Sequence, residues 1–300
     1  MNNNNDLISR INTNYKKLSK GQKLLSDYIE KNYDKAVFLT ASKLGEEVGV
    51  SESTVVRFAM NLGYKGYPEF QKALEEMVKH KLNSLQRMEV TYGKISEQGV
   101  LKSVLSTDCD KIKETRDTID ESAFNRAVDL ILNSKKVYVL GIRSCEPLAN
   151  FLSFYLNLVR DNVVLLHTSN ASEIIEQMIR IDEDDVIIGI SFPRYSRKTL
   201  KALEFADNRR AKVITLTDSV NSPMNLYSSC NLIAKSDMAS VVDSLVAPLS
   251  VINALIISLC LKKHEDVTKI LSQLEDIWDE FQTYENDEIK QIDNPGGNII

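Results

Sequence analysis

Apolar residues in the first eighty positions recur at helical spacing, and nothing there alternates as a half-buried strand would. The clearest stretch runs from Thr40 to Leu62. Leu44 and Val48, four apart, share one helix face. Gly49 breaks that helix where a tight turn needs a residue tolerant of positive φ, and Val50 follows as a turn hydrophobe. Val55, Phe58, Ala59 and Leu62 then mark the inward face of a second helix, which Gly63 ends. Thr40 and Ser51 stand at the two N-caps, and Gly45 supplies a small residue where the helices cross. This is the spacing of a helix-turn-helix.

Beyond it the pattern changes twice. Residues 81–99 are polar, without a period, and contain Gly93 and Gly99, so they read as a linker. Helical spacing returns at Val100, with Leu101, Val104, Leu105 and Ile112, and again over Glu121 to Asn133. Short apolar runs follow at Val137–Leu140, Val163–Leu166, Asp185–Ile190, Lys212–Leu216 and, more weakly, Asn231–Ala234, with helical segments between most of them. Short buried strands alternating with helices predict a parallel sheet flanked by helices. The expected fold class is therefore an all-α helix-turn-helix domain followed by an α/β domain. The division is 1–80 for DNA binding, 81–99 for a linker, 100–284 for the α/β domain and 285–300 for a disordered tail.

Val241 to Leu261 is largely apolar but holds Asp243, Pro248 and Asn253, which are expensive in lipid. It reads as a buried or interface helix, with no membrane partner. The segment 267–284 is amphipathic, with Ile270, Leu271, Leu274, Ile277, Trp278 and Phe281 on one face.

The inward set on the second helix leaves Glu52, Ser53, Thr54, Arg57 and Asn61 outward. In a helix-turn-helix that side enters the major groove of double-stranded DNA. Ser51, Ser53, Thr54, Arg57 and Asn61 are the candidate contacts, with Lys65, Tyr64 and Tyr67 placed to grip the backbone. A plain helical hairpin would share the glycine turn, but not five apolar positions in register between two caps. Glu52 on this surface counts slightly against DNA.

Charge supports the assignment mildly. The net charge is -5, yet residues 1–80 carry 12 Lys/Arg against 10 Asp/Glu, and the remainder 25 against 32. Cys109, Cys145, Cys230 and Cys260 show neither a C-x-x-C pair nor metal-ligand spacing. No metal or cofactor is expected. The opening MNNNNDLISR has no apolar signal core, so a cytoplasmic location is expected.

In a parallel sheet, ligands bind beyond the carboxyl ends of the strands. Ser144 and Arg143, where a helix starts after the first strand, are candidate anion contacts. Hydroxyls there are also ordinary helix caps, and Ser144, Ser172 and Ser196 fit that role equally. Cys145 is either a reactive thiol at a helix start or an inert buried one. His167 is a bystander on the same reading.

The stretch LSKGQKLLSDYIEKNYDKAVFLTASKLGEEVGVSESTVVRFAMNLGYKGYPEF resembles the N-terminal domain of RpiR/MurR-type regulators, most tellingly in VGVSESTVVRF and LGYKGYPEF. In that family a sugar isomerase (SIS) domain follows, which agrees with the βα texture of 100–264. The resemblance implies a phosphosugar cradle of two loops. The first usually reads Gly-x-Gly-x-Ser; here Gly141 is kept, Arg143 replaces the second glycine and Cys145 falls on the serine. The second usually reads Ser-x-Ser-Gly-x-Thr; here Ser191 is kept, Pro193 and Arg194 replace the middle pair, and Ser196 falls on the threonine. Ser244 falls on a serine near the family's last helix.

Together these point to a ligand-responsive transcriptional regulator of carbohydrate metabolism. It would bind an operator as a homo-oligomer, a dimer or tetramer, and sense a phosphosugar or similar anion. It is expected to have no catalytic residues. The alternative is a phosphosugar aldose–ketose isomerase, whose base would come from Glu146, His167, Glu173 or Asp218, none of which forms an evident acid–base pair in the sequence. A protein adaptor without a ligand is a third reading.

Overall fold

A computed structural model describes residues 7–37, 39–79, 85–88, 99–167, 171–236 and 242–283. The chain forms two compact units: Met1–Asp117 with Phe192–Tyr195 and Lys235–Ala247, and Thr118–Ser191 with Ser196–Ala234 and Pro248–Ile300. The expected tail at 285–300, and the linker at 81–99 apart from 85–88 and 99, lie outside the described residues.

The first unit opens with helices α1 (Leu7–Asn14), α2 (Lys20–Lys31), α3 (Tyr33–Ala36), α4 (Ala41–Val48), α5 (Glu52–Asn61) and α6 (Tyr67–Lys79). One apolar core joins them, built on Ile11, Leu25, Ile29, Leu44, Val55, Phe58, Phe70 and Leu74, all essentially without exposure. Ser19 closes α2 with a reciprocal capping box, its hydroxyl accepting from Gln22 N while Gln22 Oε1 accepts from Ser19 N. Thr40 caps α4 as expected, accepting from Lys43 N.

Between α4 and α5 the chain turns on Gly49, whose φ of 76° lies in the left-handed region. Gly45 is required for a different reason. A Cβ there would stand 2.7 Å from the Val50 carbonyl oxygen, and the Val50 N–H donates to the Gly45 carbonyl at 2.8 Å. The backbones of helix and turn are thus in direct contact. Val48 and Val50, expected in the core, are half-buried and pack against its edge. Helix α7 (Val100–Thr118) has only Thr115 buried, and Leu101, Val104 and Leu105 remain exposed along it.

The second unit is an α/β layer structure. After α8 (Glu121–Asn133), strands β1 (Val137–Gly141), β2 (Val163–Leu165), β3 (Val186–Ile190), β4 (Lys212–Thr217) and β5 (Cys230–Ile233) form one parallel sheet in the order β2-β1-β3-β4-β5. Helices α9 (Glu146–Val159), α10 (Ala171–Gln177), α11 (Arg197–Asn208), α12 (Val246–Lys262) and α13 (His264–Glu280) complete the described elements. β1 and β3 are buried along their whole length, as central strands with helices on both faces must be. Gly189 in β3 admits α11: a Cβ there would meet Leu203 Cδ2 at 2.8 Å.

The apolar segment expected as a helix from 241 begins its helix at Val246, and the amphipathic one occupies His264–Glu280 instead of 267–284. Leu271, Ile277 and Phe281 on the latter stay exposed. No single helix among the described residues is long and apolar enough to cross a membrane. α12 and α13 meet such a criterion only as a pair, bent by 101°.

The close approach at Gly45 has a measurable consequence. Gly45→Ala should lower the urea-unfolding free energy by about 1–3 kcal/mol, because a backbone oxygen cannot move aside as a side chain can. Gly99→Ala provides a comparison, since nothing lies near its Cβ position and only its positive φ is strained.

Candidate nucleic-acid interface and anion site

The polar side of α5 is exposed where the helix-turn-helix reading needs it. Glu52, Ser53, Arg57 and Asn61 are exposed and Thr54 is half-buried, while Val55, Phe58 and Ala59 are fully inside. Ser51 holds the N-cap position, but its hydroxyl does not cap the helix. It lies 3.0 Å from Ser53 Oγ and 2.9 Å from Thr54 Oγ1, so three hydroxyls cluster at the helix start. With two hydroxyls one turn away, side-chain pairing competes with the backbone donor. Arg57 folds back along its own helix, donating from Nε to the Ser53 carbonyl at 3.1 Å and from a terminal nitrogen to Ser53 Oγ at 3.2 Å. That holds a cation directly over the hydroxyl cluster. Asn61 donates to Gln22 Oε1 at 3.2 Å, which joins the end of α5 to the capping box of α2.

Lys65 is exposed, and its N–H donates to Glu69 Oε2. The two tyrosines expected to grip a backbone do otherwise. Tyr67 is in the core, its hydroxyl donating to the Leu39 carbonyl at 2.7 Å, and burial pushes its phenol up to about 12. Tyr64 packs edge-on against Phe70 at 5.7 Å and carries the Arg10 guanidinium over its ring at 5.1 Å. Both are apolar anchors for α6; their apolar bodies dominate once Phe70 is beside them.

In the second unit the sheet register brings the carboxyl ends of three strands to one level. Gly141 pairs with Ile190, and Ile190 with Leu216, so the loops after β1, β3 and β4 leave the sheet at one level. The first loop turns so tightly that a Cβ on Gly141 would stand 2.4 Å from the Cys145 carbonyl oxygen. Arg143 sits at φ 61° and Arg194 at φ 65°. Each occupies a position where the resemblance expects glycine, so the glycine backbone persists under an arginine side chain. Non-glycine residues in this region cost about 1–2 kcal/mol. Arg143, Ser144 and Arg194 are exposed.

The other predicted ligand residues are committed locally. Ser191 is buried and its hydroxyl accepts from Ser196 N at 3.3 Å, while Ser196 Oγ accepts from Thr199 N at 3.4 Å and caps α11. Cys145 is buried at the start of α9. Ser244, in the first unit, donates to Asp108 Oδ1 of α7 at 2.5 Å. After β4, Thr217 Oγ1 lies 3.0 Å from Ser222 Oγ and 3.4 Å from Asp218 Oδ1, all three buried.

One couple was not legible in the sequence. His167 Nδ1 lies 3.9 Å from Glu146 Oε1, both well exposed. His167 is held from behind, its N–H donating to Gln177 Oε1 at 3.3 Å and its carbonyl accepting from Gln177 Nε2 at 2.6 Å. The couple joins the second residue after β2 to the first residue of α9, twenty-one positions apart. Only the β1–β2 pairing, in which Val139 faces Leu165, brings them together.

Comparison with known proteins agrees with both halves. Residues 5–81 match the helix-turn-helix domain of the rpiR family and residues 130–258 the SIS domain. The chain is 26% identical over 275 residues to the HTH-type transcriptional regulator HexR of Escherichia coli, covering 86% of this chain and 89% of that one. It is 27% identical over 217 residues to an HTH-type transcriptional regulator of Clostridium perfringens, covering 72% and 77%. Among solved structures, the Vibrio vulnificus NanR protein complexed with ManNAc-6P superposes with a TM-score of 0.57 at 20% identity, over 93% of this chain and all of that one. The sugar isomerase domain of an RpiR transcription factor from Sphaerobacter thermophilus gives 0.57 at 24% identity, over 60% and 99%.

The left-handed backbone at position 143 can be checked by substitution. Arg143→Gly should fold at least as stably as Arg143→Val, with a difference of about 1–2 kcal/mol or more in urea unfolding, since a β-branched residue is excluded there. Equal stabilities would show that the loop takes another conformation.

Proposed function

The chain belongs to the rpiR family of helix-turn-helix transcriptional regulators that carry a SIS domain, and on that premise we propose that it regulates carbohydrate genes by binding an operator through α5 and a phosphorylated sugar through the loops after β1 and β3. The observation that carries the DNA half is the exposed row Ser53, Arg57 and Asn61 on a helix whose opposite side is wholly inside the core. An arginine poised over hydroxyls at the N-terminal part of a groove helix suits guanine or phosphate.

The sensor half is supported by two arginines held at left-handed corners, one after β1 and one after β3. Arg143 begins the turn into α9, and Arg194 precedes α11. Cationic side chains beside a helix start favour a dianionic phosphoryl group. The capping duties of Ser191 and Ser196 explain why this cradle differs from a hydroxyl-rich one: its charge comes from arginine. Arg143, Ser144, Cys145, Ser191, Arg194, Ser196 and Ser244 remain the proposed ligand residues. Ser51, Ser53, Thr54, Arg57, Asn61 and Lys65 remain the proposed DNA residues. The proposed division is a DNA-binding domain at 1–80 and a sensing domain at 100–284.

Half-sites are read in pairs, so the working form is at least a dimer. Exposed Leu101 and Leu105 on α7, Ile257 and Leu261 on α12, and Leu271 and Ile277 on α13 with Phe281 at its C-cap supply apolar surface for assembly. The protein acts in the cytoplasm, where its operator is.

A second reading, an aldose–ketose isomerase, is favoured by the His167–Glu146 couple, since isomerisation needs a base beside the carbon that loses its proton. Turnover decides between them. A regulator leaves a panel of hexose and hexosamine 6-phosphates chemically unchanged; conversion of any one into its keto or aldo partner would establish the enzyme.

Two measurements test the regulator. Phosphosugars, and not the parent sugars, should raise the melting temperature; a ligand at one hundred times its Kd adds about 2.7 kcal/mol. Arg194→Ala should remove most of that response, and a full response in the variant excludes Arg194 from the site. Arg57→Ala should weaken operator binding by about 1–3 kcal/mol at physiological salt, and unchanged affinity would exclude α5 as the groove helix.

A further inference from the structure

The sequence between Leu7 and Ser26 contains five cations, Arg10, Lys16, Lys17, Lys20 and Lys23, and no acid. Two of the five are occupied by aromatic rings. Arg10 lies over Tyr64 at 5.1 Å and Lys23 over Tyr15 at 5.6 Å. The other three, Lys16, Lys17 and Lys20, are exposed, and none makes an ion pair among the described residues. The first acid along α2, Asp27, lies seven residues beyond Lys20, about 10 Å along a helix, and it accepts from the Tyr15 hydroxyl at 2.9 Å.

This basic strip lies beside the groove helix. A Cβ on Gly21 would stand 3.3 Å from Val50 Cγ1 and 3.5 Å from Thr54 Cγ2, so the first turn of α2 touches the start of α5. Gln22 reaches the other end, accepting from Asn61 Nδ2 at 3.2 Å while also closing the Ser19 cap. Lys20 is thus covalently next to a residue in van der Waals contact with α5, and Lys16 and Lys17 precede it within one turn of chain. A helix lying in a major groove about 12 Å wide has a phosphate backbone on either flank. An exposed cation on the DNA-facing side of an element packed along that helix is within reach of those phosphates.

We infer that Lys16, Lys17 and Lys20 form a phosphate clamp on double-stranded DNA, independent of base sequence, that seats α5 from the side of α2. The clamp rests on the reading of α5 as the groove helix and adds a second contact surface to it. Its role differs from that of Arg57. Three exposed lysines against phosphates supply affinity and salt dependence without discrimination between sequences.

The experiment uses the full chain and a random-sequence duplex of about thirty base pairs, so no operator is needed, and follows binding by fluorescence anisotropy between about 50 and 200 mM salt. Each phosphate contact contributes about 0.9 to the slope of log affinity against log salt. The triple variant K16Q/K17Q/K20Q should therefore lose about 2–3 from that slope and bind the duplex at least tenfold more weakly at the lower salt, with an unchanged melting temperature. Arg57→Ala should change the slope by about one at most. A triple variant with wild-type slope and affinity overturns the clamp while leaving α5 in place. Wild-type protein that binds no duplex at any salt overturns the clamp and the DNA reading together. Should the triple variant melt early, the single substitution Lys20→Gln decides, with a slope change near one expected and none contradicting it.

Discussion

At Gly45 backbone meets backbone, and the placement of α5 depends on that contact. Gly45 leaves no room for a Cβ beside the Val50 carbonyl oxygen, and the Val50 N–H returns a hydrogen bond to the Gly45 carbonyl. With the turn welded to α4 in this way and Gly49 in the left-handed region, α5 can leave in only one direction. That direction buries Val55, Phe58 and Ala59 in the core, with Phe58 edge-on to Phe70, and turns Ser53, Arg57 and Asn61 outward. Apolar burial at about 25 cal/mol per Å² holds the helix once it is aimed, but burial alone is non-directional. The aim comes from the glycine corner.

Both units place their chemistry on short segments that leave rigid secondary structure. In the second unit the parallel register aligns the ends of β1, β3 and β4. The loops that follow need left-handed corners, and Arg143 and Arg194 occupy them at some conformational cost. A left-handed corner fixes the direction in which each arginine side chain leaves the backbone. The hydroxyls nearby take the lesser task of satisfying backbone donors.

Much of this was legible in the sequence, for identifiable reasons. The helix-turn-helix could be read because glycine, cap and apolar positions are local signals within about twenty residues. All five strands were found within one residue at either end, since buried parallel strands are continuous apolar runs. Arg143 and Arg194 stood out against the glycines of the resembling family. What was not legible depends on tertiary neighbours. Tyr64 and Tyr67 read as polar handles in sequence, and only Phe70 and the Leu39 carbonyl make them core. The His167–Glu146 couple spans a strand pairing that no local pattern encodes. Lys16, Lys17 and Lys20 carry no local signal in the sequence; only the contacts of Gly21 and Gln22 set the start of α2 against α5.

Hydrogen exchange of the full chain, with and without duplex DNA, tests the central claim most directly. Amides at the start of a groove helix lose solvent access when the duplex binds. The account predicts slowed exchange over residues 51–57, while amides of the sheet strands, already buried, hold their rates. Binding accompanied by unchanged exchange across 51–57, with protection concentrated elsewhere in the chain, would contradict it.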